Sequence, residues 1–329
     1  NIFFISPRRS MMKKLVVVIL VLACVASVFA QGDSEGTKAT PQQLTFGTAS
    51  AGGAFYVVGT GISEVVSQKV DNLYVTAEIT GGSVKNCILV GTGESDLAIS
   101  NADHVVNAVN GVNQYDKKYD LRAICSMHAS ILHMVTLPGK GINTPADLKG
   151  KKVAVGPAGG GSEPMVKAVL EAYGLSFDDI KPSYLSYDDG ITQLKDGQVD
   201  VALVGAGFPA SAVMSLQATN KVVMLSLTDE TMAKVSTIVP AYSKIVVPAE
   251  TYGMDTDVIV LGVRNIVYCS PDLSEETVYN ITKAIYENLD EIKTYTAALD
   301  NVKLEELTDV AGVEMHEGAK RYYKEKGLL

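Results

Sequence analysis

The chain states one structural plan twice. Residues 44–61 run from an apolar strand through the turn Gly47-Thr48-Ala49-Ser50-Ala51-Gly52-Gly53 into a helix. Residues 152–170 repeat the order, with strand Val153-Ala154-Val155, turn Gly156-Pro157-Ala158-Gly159-Gly160-Gly161-Ser162, then helix. A second pair follows at a similar offset, Gly93-Glu94-Ser95-Asp96-Leu97-Ala98-Ile99 being answered by Gly197-Gln198-Val199-Asp200-Val201-Ala202-Leu203. This duplication implies two α/β lobes built alike, with helix N-termini facing one cleft. Free backbone N–H groups and aligned peptide dipoles at such ends favour an anionic small molecule.

The N-terminal segment reads as an export signal. Lys13-Lys14 precedes the apolar run that begins at 15–22, and Val28-Phe29-Ala30 before Gln31 supplies small residues for cleavage. Residues 1–30 are therefore expected to be removed and the protein to work in the periplasm. The first residue is Asn, so translation is expected to start at Met11 or Met12, with 1–10 untranslated. Cys24 after Val21-Leu22-Ala23 offers a lipoprotein alternative. Cleavage after Ala30 is preferred because the residues following Cys24 are still apolar.

Removing Arg8, Arg9, Lys13 and Lys14 from 28 basic residues leaves 24 against 37 acidic ones, a net charge of −13. That balance argues against nucleic acid and against anionic membranes as partners. An anionic ligand would then need local positive potential from backbone N–H groups, since the mature chain has only Arg122, Arg264 and Arg321, none in a loop expected at the cleft. Cys87, Cys125 and Cys269 show neither a disulfide framework nor metal spacing. They read as buried thiols, with a single bridge as the alternative.

Residues 31–43 are small and polar and read as a flexible leader. Alternating strand and helix patterns follow, so the sheets should be largely parallel, with ligands at the strand C-terminal ends. The run 258–263 is expected to return the chain to the first lobe. Lobe one is thus 44–137 plus 258–329, and lobe two is 138–257. Ser274 reads as the N-cap of a helix with the stripe Val278, Ile281, Ile285 and Leu289.

The glycine loops are the main candidate site. Neither is a phosphate-binding P-loop, because no Gly-Lys-Ser/Thr ends it, and the spacing fails for a dinucleotide fingerprint. Gly82-Ser83 with Asn86 opens another helix, where Ser83 reads equally as a cap and as a contact. Asn86, one turn in, could face the cleft. Asp103 reads as a cap. Phe208 is placed at the cleft from the counterpart loop 205–209. Of the neighbours Phe55 and Tyr56 only one can face the core, and Tyr56 is favoured for the cleft because of its hydroxyl. His104, His128, His133 and His316 form no metal or catalytic pattern. No nucleophile is paired with a base, so no enzyme activity, cofactor or metal is expected.

Together these motifs resemble those of the TRAP-associated extracytoplasmic immunogenic (TAXI) family of solute-binding proteins. The carriers are Gly47-Thr48 with Gly52-Gly53-Ala54-Phe55-Tyr56, Gly82-Ser83-Val84-Lys85-Asn86, the two Gly-x-x-Asp segments, Val155-Gly156-Pro157 with Gly159-Gly160-Gly161-Ser162, Glu276-Thr277-Val278-Tyr279, and His316-Glu317-Gly318-Ala319 with Arg321-Tyr322-Tyr323. The resemblance implies a two-lobed periplasmic-binding-protein-like fold of type II. Its hinged cleft closes like a flytrap on glutamate or a related amino acid or dicarboxylate. The protein would then pass this small carboxylate ligand to TRAP transporter membrane subunits. It further implies ligand contacts at Ala51, Gly53, Tyr56, Ser83, Asn86, Asn101, Gly160 and Ser162, to which the residue reading adds Phe208. A monomer is expected. The alternative function is a periplasmic sensor subunit that presents its ligand to a membrane receptor.

Overall fold

The computed structural model describes residues 41–51 and 53–329. The export signal, the Cys24 alternative and the leader up to residue 40 lie outside the described residues. The first half of the chain from residue 42 contains β1 (Gln42–Gly47), α1 (Ala54–Lys69), β2 (Leu73–Glu78), α2 (Ser83–Gly91), β3 (Leu97–Asn101), α3 (Ala102–Asn110) and the long strand β4 (Arg122–Thr136). The plan then repeats as β5 (Lys152–Gly156), α4 (Ser162–Ala172), β6 (Lys181–Tyr184), α5 (Tyr187–Lys195), β7 (Val201–Ala206) and α6 (Ser211–Gln217). There follow β8 (Val223–Met224), α7 (Asp229–Ile238), β9 (Ser243–Val247), a second long strand β10 (Val258–Cys269), α8 (Glu275–Glu287), α9 (Leu289–Lys293) and α10 (Glu317–Glu325).

Burial follows strand position. The edge strand β2, Leu73-Tyr74-Val75-Thr76-Ala77-Glu78, alternates between covered and open residues, whereas β3 is buried throughout. β10 is buried along nearly all of its length, as its Val/Ile/Leu-rich sequence requires of a strand covered on both faces. Ser274 caps α8, its side chain accepting from the Thr277 N–H, as expected from the sequence.

The strands form one sheet in the order β2-β1-β3-β10-β4-β7-β5-β6, with β8 added to β4 and β9 to β10. Either end reads the same way: second, first and third strand of the half, then a long strand. The outer three strands of each half are parallel, and β10 and β4 join them antiparallel. The sheet is therefore mixed rather than largely parallel, because the two crossing strands run against their neighbours.

The apolar core falls into separate clusters. Phe46, Ile99, Ile124 and Tyr268 belong to the first, Leu132, Val155 and Leu261 to a second, and Val135, Val204 and Val260 to a third. β4 and β10 each contribute one end to the first cluster and the other end to the remaining two, so they are the strands that bridge the halves.

The repeated Gly-x-x-Asp segment has a structural cause. Asp96 Oδ2 accepts from the Thr45 N–H at 2.8 Å, and Asp200 Oδ2 accepts from the Lys152 N–H at 3.0 Å. In each half the aspartate before the third strand thus holds the first strand by its backbone. Cys87, Cys125 and Cys269 are free and buried. Among the described residues no helix is long and apolar enough to cross a membrane.

Candidate ligand-binding cleft

Five helix N-termini converge on one small cavity. Gly53 and Ala54 open α1, Gly82 and Ser83 open α2, Asn101 precedes α3, Gly161 precedes α4 and Tyr187 is the first residue of α5, and all of these line the cavity. The local sequence explains this placement. Each of these helices begins just after a strand of a parallel βαβ unit, where the strand C-terminal end and the helix N-terminus meet. Gly82 has φ of 92°, a left-handed region open to glycine, and its Cα approaches the opposite loop so closely that a Cβ would sit 3.4 Å from Gly160 Cα.

The first four of these helices lack a side-chain cap: Gly53, Gly82, Asn101 and Gly161 stand at the N-cap and none accepts a hydrogen bond from its helix through a side chain. Helices α7, α8 and α10 are capped by Thr228, Ser274 and His316. Of the cavity helices α5 is capped by Ser186, and away from the cavity α6 and α9 also lack a side-chain cap. At the cavity the missing caps leave the first-turn N–H groups to acceptors from other segments, as the opposite loop shows at α2. No Lys, Arg, Asp or Glu lines the cavity, so its positive potential comes from helix ends. Its volume, measured as space open to the centre of a water, is about 10 Å³. That admits about one water molecule, so a larger ligand requires the walls to part.

The walls come from both halves. The Val84 and Lys85 N–H groups, in the first turn of α2, donate to Gly159 O at 3.1 and 3.3 Å. A Cβ on Gly161 would lie 2.7 Å from Asn101 Oδ1 and 2.9 Å from Ser83 Oγ. Tyr242, before β9, donates its hydroxyl to Asp103 Oδ2 at 3.1 Å, a second tie between halves. Asp103 is therefore no helix cap; Asn101 holds that position.

Gly53, Ser83, Asn101 and Gly160 line the cavity. Ser83 does not cap α2, since Gly82 holds the N-cap. Its Oγ accepts from the Asn101 N–H at 3.0 Å and donates to Asn101 Oδ1 at 2.7 Å. The structure places the other five candidates elsewhere. Asn86 is wholly buried beneath the cleft, where its Nδ2 donates to Thr48 O at 2.6 Å and Ile99 O at 2.8 Å and its Oδ1 accepts from Thr80 Oγ1 at 2.6 Å. Both polar atoms of that side chain are used, the nitrogen between the end of β1 and β3 and the oxygen on the loop after β2. Ser162 is buried and donates to Val155 O. Ala51 is exposed, Tyr56 is half-buried outside the lining, and Phe208 packs on the third core cluster. Phe55, not Tyr56, lines the cavity.

Sequence reasoning missed Tyr187. Its hydroxyl bonds with Ser162 and Gly205, and burial raises its pKa; its ring lies 3.3 Å from where a Gly53 Cβ would be. The signal was available. The second repeat offset, 104 residues (93 to 197), carries Ser83 onto Tyr187 and Asn101 onto Gly205, and all four line the cavity.

Such a cleft between two duplicated α/β halves is the arrangement of the two-lobed periplasmic-binding-protein-like fold. Solved structures agree on this fold. MatC from Rhodopseudomonas palustris with bound malate aligns at 15% identity over 79% of this chain and 89% of its own, with a TM-score of 0.55. A protein from Bordetella bronchiseptica RB50 aligns at 18% identity over 87% and 98%, with a TM-score of 0.54. A Listeria monocytogenes protein named for L-cystine ABC transport aligns at 14% identity over 80% and 99%, with a TM-score of 0.51. Within this class, the chain belongs to the NMT1-like family, whose model matches residues 46–327. That match replaces the TAXI assignment, and with it the TRAP membrane subunits as partners. The motifs behind that assignment are largely turn glycines and strand-holding aspartates, which the fold itself demands.

Proposed function

We propose that this protein is an exported solute-binding protein that captures a small carboxylate between lobes 44–137 plus 258–329 and 138–257 and delivers it to a membrane permease. It acts by binding rather than by catalysis. The observation that carries the reading is the convergence of helix N-termini without side-chain caps on a cavity that no charged side chain lines. A carboxylate there accepts several backbone N–H bonds and meets the positive ends of the helices, with no need for a counter-cation. Malate, named for the R. palustris neighbour, is one member of this ligand class.

Closure follows from the contacts already made. Gly159 O now occupies the α2 N–H groups, and a ligand touching both walls would favour the closed population by its differential affinity for it. Ser83, Asn101 and Tyr187 would orient the ligand, while Asn86 would hold the strands from which the helices spring.

The test is a thermal-shift screen of the chain from Gln31 against amino acids, dicarboxylates, 2-oxo acids and alkanesulfonates, after unfolding and refolding to strip any copurified ligand. A carboxylate at 1,000 times its Kd should add about 4 kcal/mol of stability. Gly161→Leu should lose the shift, because its side chain blocks approach to Asn101 and Ser83. It should also melt lower than the wild type without ligand, since even its Cβ would stand 2.7 Å from Asn101 Oδ1. Shifts from sulfonates alone, or from no anion, would overturn the carboxylate reading.

A further inference from the structure

His128 is the one buried histidine whose ring nitrogens both lack a hydrogen-bond partner among the described residues. It is 4% exposed. Such a group is costly to bury unless something outside the resting contacts satisfies it. Its strand neighbour His133 shows the contrast. There Nδ1 lies 2.9 Å from Val204 O and Nε2 lies 2.9 Å from the Tyr252 hydroxyl, so both nitrogens are used.

Three features aim His128 at the cleft. The β4–β10 register shifts between Arg264, opposite Ala129, and Ile266, opposite Ser126. Met127 and His128 thus face the single residue Asn265, a bulge of the kind that re-aims a side chain. Phe55, which lines the cavity, packs edge-on against the imidazole with ring centroids 6.0 Å apart. Gly207 lets the ring lie against bare backbone, since a Cβ there would lie 2.6 Å from His128 Cδ2. Phe55 is therefore the shared wall between the present cavity and the imidazole.

We propose that His128 is a specificity-determining residue of this cleft, reached when Phe55 moves as the lobes part, and that it recognises an uncharged hydrogen-bonding group on the ligand, a hydroxyl or a primary amide. The proposal rests on the carboxylate reading above. Burial lowers the imidazole pKa to about 4, so the ring is neutral near pH 7. A neutral ring offers one N–H donor and one lone pair on opposite sides. A hydroxyl or carboxamide can use either and can bridge to neighbours. A second carboxylate could accept from the N–H but has no donor for the lone pair and would bring an uncompensated charge against Phe55, and an alkyl end would leave both nitrogens unpartnered. The ligand class is thus a short acid whose charged end sits on the helix N-termini and whose far end is polar and neutral.

The experiment compares four acids of one chain length in the mature protein: pentanoate, glutarate, 5-hydroxypentanoate and glutaric acid monoamide. Kd is measured by calorimetry for the wild type, His128→Leu and His128→Gln. The wild type should bind the hydroxy or amide acid at least tenfold more tightly than pentanoate and glutarate. His128→Leu should erase that preference and leave pentanoate within about twofold, the loss expected when a hydrogen-bonding partner is replaced by an apolar one. His128→Gln, which keeps a donor and an acceptor, should recover part of it. On wild-type protein labelled with ¹⁵N-histidine, the hydroxy or amide acid should shift the His128 ring nitrogens and pentanoate should not, a readout independent of whether the variants fold. Binding without preference, or a preference that survives His128→Leu, overturns the role of His128 and leaves the carboxylate reading standing. Failure of all four acids together with every acid of the wider screen overturns the carboxylate reading and the proposal with it.

Discussion

The two halves of the molecule share a plan and differ in what holds it. Asn86 in α2 and Gly190 in α5 occupy corresponding places, 104 residues apart. In the first half Asn86 fills the gap between helix and sheet and ties it with hydrogen bonds to Thr48 O and Ile99 O and from Thr80. In the second half the gap is absent: a Cβ on Gly190 would stand 3.2 Å from Ala154 Cβ, so helix and strand touch directly. The cleft surfaces differ likewise. The first half offers Ser83 and Asn101 bonded to each other, whereas the second offers Tyr187 against the bare backbone of Gly205. A duplicated fold thus conserves strand order and helix starts while exchanging polar ties for close packing, and the exchange makes the two walls of the cleft chemically unlike.

Removing the polar tie should produce the largest effect. Asn86→Ala removes the amide from Thr48 O, Ile99 O and Thr80 Oγ1, leaving Thr80 bonded only to Thr48 O and the Gly82 N–H. The cost should be about 3 kcal/mol, read as a lower urea midpoint. Gly190→Ala adds a methyl against Ala154 and should cost about 1 kcal/mol. Equal losses at the two positions would mean that the halves are held alike.

Acid should loosen the second half next. His133, bonded to Val204 and Tyr252, has its pKa lowered by burial to about 4. The unfolded chain therefore binds the proton at higher pH than the folded one. The contribution of neutral His133 is complete above about pH 6.5 and declines as pH falls, disappearing through pH 4; at pH 5 the loss is about 2 kcal/mol. The pKa of His128, against Phe55 of the first half, is lowered by burial to the same value. Hydrogen exchange at pH 5 should therefore quicken around Phe55 as well as at Val204 and Ala210, whose groups meet the His133 network. No quickening at Val204 and Ala210 would argue against His133 as a site of acid loosening.

The smallest effect belongs to the cleft wall. Tyr187→Phe removes the hydroxyl bonded to Ser162 and Gly205, and should cost about 1 kcal/mol in thermal unfolding. Its mirror, Ser83→Ala, should cost a similar amount by freeing the Asn101 N–H. A much larger loss at Tyr187 would show that the second wall depends on a polar tie after all.

Much of this arrangement was legible in the residues. Glycine loops at Gly53, Gly82 and Gly161 marked helix starts because only they permit such close approach, and the repeat gave the duplication. Asn86 was misplaced because one helical turn of spacing does not reveal whether a side chain turns to solvent or beneath the sheet. Phe55 and Tyr56 posed the same problem, which packing decided against the hydroxyl. His128 could not be foreseen at all. Its place behind Phe55 depends on a bulge opposite Asn265, a partner more than a hundred residues away.

The position of β10 has a consequence for how the protein is made. It inserts between β3 and β4, and the Ser130–Asn265 bonds there join residues 135 apart in sequence. The first half cannot complete its sheet until the ribosome has passed Cys269. Pairing over such distances also forms slowly. The first half therefore stays open while every strand from β5 to β9 is being added.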